Sequence, residues 1–256
     1  LESAEVKEAL DLCVGCKGCK RDCPTGVDMA RMKIEVQHHY NTKHGLPLKD
    51  TLISNLPRYA HIASQWPRLM NLRNQWPWLA RLAESFTGLS AERSWPEWKK
   101  EHFFNSQRKG VSAKEVLAAS KPVVLFVDTF NGYFESENAW AAFDVLSAAG
   151  YQVHIASRTQ QDAPGQHLCC GRTYLAAGMV DKAKETLGEL VNHLAPYAER
   201  NIPIIGLEPS CLFTLKDEAL VMGFGERAVS NIPEAKGPAR DISSVGVIGG
   251  GTMGSG

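Results

Sequence analysis

The stretch "PVVLFV", Pro122 to Val127, is a continuous apolar run rich in β-branched residues. A run of that length and composition predicts a strand buried on both faces, as in a parallel sheet covered by helices. The segments that follow keep to that reading. "ENAWAAFDVLSAAG" predicts a helix ending at Gly150, and "YQVHIAS" predicts a second strand. "GRTYLAAGMVDKAKETLGELVNHLAPYAERN" reads as one long helical stretch with Leu175, Met179, Ala183, Leu187 and Val191 on one face. "IPIIGLEP" predicts a third strand and "SCLFTLKDEA" the start of another helix. Strands alternating with helices argue for a small parallel sheet, whose sites lie beyond the carboxyl ends of the strands.

Upstream of that unit the sequence is helical in pattern. "SAEVKEALDL" reads as a short amphipathic helix, and a second helix is predicted after Asp28. Asp28 is its N-cap, Met29, Met32, Val36 and Tyr40 form its apolar face, and Gly45 ends it. His38, His39 and His44 on this helix read as solvated or capping residues before they read as ligands. From Leu46 to Lys109 the chain is rich in Trp, Pro and Arg, and Trp66-Pro67, Trp76-Pro77 and Trp95-Pro96 each predict the start of a short helix. A membrane-surface role for this Trp/Arg patch is the alternative. "NSQRKGVSAKEVLAASK" reads as a linker with one helical turn. The expected fold is therefore α+β. Residues 1–45 form a helical ferredoxin-like segment, 46–120 a helical connector, 121–235 an α/β unit, and 236–256 a linker with a truncated tail.

Between the first two helices lies "CVGCKGCKRDCP", Cys13 to Pro24. Its pattern is C-x2-C-x2-C-x3-C-P, and thiolates are soft ligands suited to iron–sulfur clusters and zinc. Gly15 and Gly18 permit a tight loop that turns amide groups toward the sulfurs. Zinc prefers paired knuckles separated by a longer loop, and no second knuckle lies nearby, so a [4Fe–4S] cluster is the expectation. In two-cluster ferredoxins the fourth Cys of such a run ligates the other cluster. Cys13, Cys16 and Cys19 would then hold one cubane and Cys23 would reach a second. Cys169 and Cys170 in "HLCCGR", with Cys211 in "EPSC", lie at predicted strand and helix ends. Adjacent thiols at a helix N-terminus are expected to be depressed in pKa, which favours metal ligation or redox chemistry. The bland reading is three small buried hydrophobes. His167 and Glu208 flank these thiols as candidates for a fourth ligand or a proton relay.

Composition narrows the classes. The 256 residues are 44% hydrophobic and 22% charged, with 28 basic and 28 acidic side chains, so no net charge argues for nucleic acid or an acidic partner. No apolar run approaches the roughly 18 residues that span a bilayer, and no signal peptide is visible. The seven cysteines are clustered and odd in number, which argues against a disulfide framework and for a reduced, cytoplasmic compartment. The chain starts at Leu1 without Met and stops inside "VGVIGGGTMGSG", so both ends are expected to be cut. Gly249, Gly251 and Gly254 make a G-x-G-x-x-G after a short apolar strand. That match resembles the opening of the NAD-binding domain of 3-hydroxyacyl-CoA dehydrogenases, but the helix and the acidic residue it needs do not fit before Gly256.

Taken together, the cysteine run, "CCG" at 169–171 and "EPSC" at 208–211 resemble the cysteine-rich-domain iron–sulfur proteins. That group includes the iron–sulfur components of glycolate oxidase, of anaerobic glycerol-3-phosphate dehydrogenase and of heterodisulfide reductase. The chain most resembles the C-terminal part of bacterial FAD/FMN-containing dehydrogenases of the D-lactate and D-2-hydroxyglutarate type, over about residues 1–225. The resemblance implies FAD on an upstream flavin domain or subunit, a further group of cluster ligands there, and an electron acceptor such as a quinone. It also implies a second cluster or zinc at Cys169, Cys170 and Cys211. Thr129 and Glu208 stand where many members carry further cysteines. Any membrane association would be peripheral. The alternatives are a zinc-stabilised interaction module and a heterodisulfide-reductase-like thiol redox protein.

Overall fold

The computed structural model describes residues 3–106, 110–156 and 167–222. The tail with Gly249, Gly251 and Gly254 lies outside them. The described chain is α+β, mostly helical, with one three-stranded parallel sheet. Helix α1 (Ala4–Asp11) leads into the cysteine loop, which contains the single turn α2 (Gly18–Asp22). Helix α3 (Met29–His44) begins where Asp28 accepts a hydrogen bond from the Arg31 amide at 3.1 Å, and Gly45 ends it at φ +84°. Its buried face is Ala30, Val36 and Gln37; Met32, expected on that face, is half exposed.

The connector folds into α4 (Leu48–Ser54), α5 (Leu56–Ala63), α6 (Pro67–Met70), α7 (Leu72–Gln75) and α8 (Pro77–Thr87). Pro67 and Pro77 open their helices as expected, since proline lacks the N–H that a first turn leaves unsatisfied. The third Trp-Pro pair does not start a helix. Asn74 donates to the Trp95 carbonyl at 2.8 Å and accepts from its amide at 2.9 Å, and Asn71 does the same for Trp98, both at 2.9 Å. Those four bonds hold 95–98 in place outside any helix. Arg73 runs beneath it, buried, donating to the carbonyls of Ser90 and Arg93 and stacking 4.3 Å from the Trp95 ring. On α8 the exposed residues Trp78, Leu82 and Phe86 recur every fourth position. Among the described residues no helix is long and apolar enough to cross a membrane.

Helix α9 (Ala113–Ala118) is started by a capping box, in which the Glu115 amide donates to Ser112 and the Ser112 amide donates to the Glu115 carboxylate. The α/β unit then runs β1 (Pro122–Phe126), α10 (Thr129–Tyr133), α11 (Ser136–Ala148), β2 (Gln152–Ile155), α12 (Arg172–Ala176), α13 (Val180–Ala198), β3 (Ile204–Gly206), α14 (Pro209–Phe213) and α15 (Ala219–Val221). Strand β1 is central, in the order β2-β1-β3, with Val123 opposite Val153 and Val124 opposite Ile204. Both of its faces are covered. Val123, Leu125 and Val127 meet Ala139, Ala142 and Leu146 of α11, whereas Val124 and Phe126 meet Leu190 and Leu194 of α13. Burying each such side chain contributes about 1.5–3 kcal/mol, which makes β1 the spine of the core.

The expected single helix over 171–201 is two helices. Gly178 sits between them at φ +70°, a left-handed conformation that a continuing helix cannot use. Leu175 therefore belongs to α12, and the buried stripe of α13 is Ala183, Leu187, Leu190 and Leu194 rather than Val191. The break lets α3 approach. His38 donates from Nδ1 to the Gly178 carbonyl at 2.9 Å, Asn41 donates to the Ala177 carbonyl at 2.9 Å, and Ile34 packs beside Tyr174 and Leu175.

Candidate functional site

The cysteine loop is shaped by two left-handed residues, Gly15 at φ +73° and Lys17 at φ +58°. The Cys13 amide closes the end of α1 on the Leu10 carbonyl, and the Cys23 amide bonds the Cys19 carbonyl across α2, both at 2.9 Å. Cys16 and Cys19 are exposed, while Cys13 and Cys23 are half-buried. The Cys23 thiol is acidified. The Thr25 hydroxyl, 3.1 Å away, and the amides of Val27, Thr25 and Gly26 favour its anion and bring its pKa down to about 7.

By donor chemistry the loop fits an iron–sulfur group: four soft thiols on a glycine-bearing turn, with one already biased toward thiolate. Among the described residues, however, no group of three or more His, Cys, Asp or Glu side chains is gathered to hold a metal ion. Ligation therefore requires the loop to draw its sulfurs inward.

The second cysteine group converges at the carboxyl end of the sheet. Cys169 and Cys170 precede α12, Cys211 lies on α14 just after β3, and a small hollow beside Asp128 and Thr129 is lined by all three. Their thiols form a hydrogen-bonded row in which Cys169 donates to Cys170 and Cys170 donates to Cys211. Thr129, standing where many relatives by resemblance have Cys, bonds the Cys169 sulfur and lies 2.6 Å from His167 Nε2. Glu208 instead turns to α14, where its carboxylate accepts from the Ser210 amide and hydroxyl.

This group departs from the expected thiolates. The hydrogen bond to Cys170, followed by burial, pushes the Cys169 thiol well up. For Cys170 the bond from Cys169 favours the anion, but the bond given to Cys211 and burial outweigh it. Cys211 is raised as well: the bond it accepts from Cys170 favours its anion, but burial and the nearby Asp128 carboxylate outweigh that bond. Asp128 is itself raised by burial, although it caps α10 through the amides of Phe130 and Asn131. The N-terminus of α12 is too short to reverse this, since a five-residue helix carries little dipole. As it stands the row is three buried thiols whose protons a bound metal would have to displace. A larger cavity of about 420 Å³ also has Cys169 and His167 in its wall, with Arg58, Lys182, Glu185 and Glu189 around it.

The two cysteine groups are joined by charged residues that have no local signature in the sequence. Asp217 pairs with Lys17, with Lys20 at 3.2 Å and with Arg31 at 3.0 Å. Glu218, almost fully buried, pairs with Lys17 and with Arg172, each at 2.9 Å. Burial alone would raise the Asp217 carboxyl, but Lys17 and Lys20 outweigh it and pull its pKa down to about 2. Arg172 directly follows the CCG triplet. Its amide donates to the Cys170 sulfur, and its guanidinium lies 2.9 Å from where a Cβ on Gly15 would be. Lysines inside the cysteine run and an acidic pair at 217–218 were the available signal, but a separation of 200 residues hides the partnership.

The chain is similar to D-2-hydroxyglutarate dehydrogenases. It is 21% identical over 239 residues to that of Escherichia coli (strain K12), which covers 90% of this chain and 22% of that protein. It is 22% identical over 222 residues to that of Pantoea ananatis, and 23% identical over 224 residues to that of Haemophilus influenzae, each match covering 84% of this chain and 21% of the relative. No family model matches the chain, and no solved structure matches it. The chain is thus a relative of oxidoreductases, and it spans about one fifth of the length of the curated relatives it matches.

Proposed function

We propose that this chain is the iron–sulfur electron-transfer portion of a flavin-linked 2-hydroxyacid dehydrogenase, working in the cytoplasm. In that reading, electrons leave a reduced FAD on a partner domain or subunit and pass through this chain to an acceptor such as a quinone. The observation that supports it best is the run Cys13, Cys16, Cys19 and Cys23 lying on one side of an ion-paired junction with Cys169, Cys170 and Cys211 on the other. Similarity to D-2-hydroxyglutarate dehydrogenases supplies the substrate class.

Cys13, Cys16 and Cys19 would hold one [4Fe–4S] cluster, with Cys23 turned to a second. Such a cluster supplies one-electron oxidation and reduction when bound. The chain's own residues do the rest. Gly15 and Lys17 fold the loop, and Thr25 with the amides after it favours the Cys23 anion. Thr129, Cys169, Cys170 and Cys211 form a hydrogen-bonded row at the carboxyl end of the sheet. The domain division at 45, 120 and 235 belongs to the same reading.

Anaerobic reconstitution with iron and sulfide tests it. The expected result is visible absorption, iron and acid-labile sulfide equivalent to one cubane per chain, an electron paramagnetic resonance signal on reduction, and loss of all three in Cys16→Ser. A chain that stays colourless with iron and sulfide but binds zinc would overturn it. The chain alone should not oxidise D-2-hydroxyglutarate with a dye acceptor; turnover without added flavoprotein would refute the division of labour.

A further inference from the structure

We propose that Asp217 and Glu218 form a clamp that docks the cysteine loop onto the thiol end of the α/β unit, with Arg172 as the residue touching both sides. The loop contributes Lys17 and Lys20, and α3 contributes Arg31, all directed at the acidic pair. Lys17 is committed to this contact by its backbone. It adopts a left-handed conformation that is costly for a side-chain-bearing residue, and that conformation delivers its ammonium to both carboxylates. Gly15 is small where Arg172 passes, because a Cβ there would meet the guanidinium at 2.9 Å. Asp28 completes the group, 3.7 Å from Lys20 and 3.5 Å from Arg31.

The electrostatics follow from the count. Lys17, Lys20, Arg31 and Arg172 carry four positive charges against three negative charges on Asp28, Asp217 and Glu218. The surplus lies beside four thiols that become negative when they ligate. A positive surplus favours the reduced, more negative state of a bound redox group, so the basic side chains gathered here also raise its reduction potential. The docking stands on the ion pairs alone, whereas the effect on potential rests on the iron–sulfur reading above.

Hydrogen exchange on the metal-free full chain tests the docking. The double variant Asp217→Asn/Glu218→Gln should exchange its 13–26 amides at least about threefold faster, the worth of one partly buried ion pair. Amides of β1 and α13 should not change, and Asp217→Glu should restore part of the protection. If the double variant unfolds, added salt on the native chain replaces it, because screening should speed the same loop amides selectively. Loop exchange indifferent to both the variant and salt overturns the clamp. On the iron-loaded chain, Lys17→Met should retain its iron and lower the reduction potential, and an unchanged potential overturns the electrostatic part. A chain that takes up no iron refutes the iron–sulfur reading, while the exchange result still decides the clamp.

Discussion

Replacing Gly178 by Ala should push α3, which follows the cysteine loop, away from the α/β unit. The residue adopts φ +70°, where an L side chain costs roughly 1–2 kcal/mol. Space makes the cost larger. The new Cβ would lie 2.6 Å from the His38 nitrogen and 2.7 Å from the Gln37 carbonyl carbon, both backbone atoms of α3. A helix backbone cannot swing aside as a side-chain tip can, so α3 must retreat until the contact reaches the ordinary 3.4 Å. That retreat stretches the 2.9 Å bonds from His38 to the Gly178 carbonyl and from Asn41 to the Ala177 carbonyl beyond useful length. Each is worth about 1 kcal/mol net, which brings the total to about 3–4 kcal/mol. Gly150→Ala is the control, since Gly150 has φ +80° but nothing within 4 Å of its would-be Cβ, and it should lose only the backbone share of about 1 kcal/mol. In urea, with a slope of about 2 kcal/mol/M, Gly178→Ala should unfold about 1 M below Gly150→Ala. Coincident midpoints for the two variants would refute the packing argument.

Arg73→Met should cost about 3 kcal/mol in a urea titration, because the carbonyls of Ser90 and Arg93 lose a charged buried donor and Trp95 loses its stacking partner. Burial against the Phe104 and Tyr133 rings holds His102 down to about 4, against an ordinary value of 6.5. The unfolded chain therefore takes up this proton first, so stability should fall as pH drops from 6.5 toward 4, and His102→Gln should flatten that decline. Asp217 has the opposite partners and a lower window. Its contribution, made with Lys17, Lys20 and Arg31, is complete above about pH 4 and should disappear as pH falls toward 2, which denaturation of Asp217→Asn against the native chain would show as a lost acid slope.

The parallel sheet was legible because β1 is apolar at every position and is buried on both faces, so its composition carries the signal that alternation usually carries. Helix ends were legible where a residue type has one physical use there: Asp28 as a cap, Gly45 and Gly150 as left-handed stops. The misread elements are those where a distant partner decided. Periodicity runs smoothly through 171–201, yet Gly178 breaks it because α3 comes close enough to exclude a Cβ. Trp95-Pro96 has the local form of a helix start, yet the side chains of Asn71 and Asn74 claim the backbone on either side.

The site divides the same way. That Cys169, Cys170 and Cys211 would meet follows from strand ends gathering distant loops, and they do meet. Their protonation does not follow, because a thiol's pKa is set by what surrounds it. The helix N-terminus favoured thiolate, but α12 is one short turn, and burial together with a neighbouring thiol at each step outweighs it. Cys23 shows the converse: half-buried, with a hydroxyl and three amides turned toward it, it is biased to the anion without any long helix. Cys23 and the buried row are thus biased in opposite directions, with Arg172 and its acidic partners between the two cysteine groups. A chemistry that needs a thiolate is favoured at Cys23, whereas the row at 169, 170 and 211 must first lose protons; Thr129 bonds the Cys169 sulfur and lies 2.6 Å from His167, which with Cys169 lines the larger cavity.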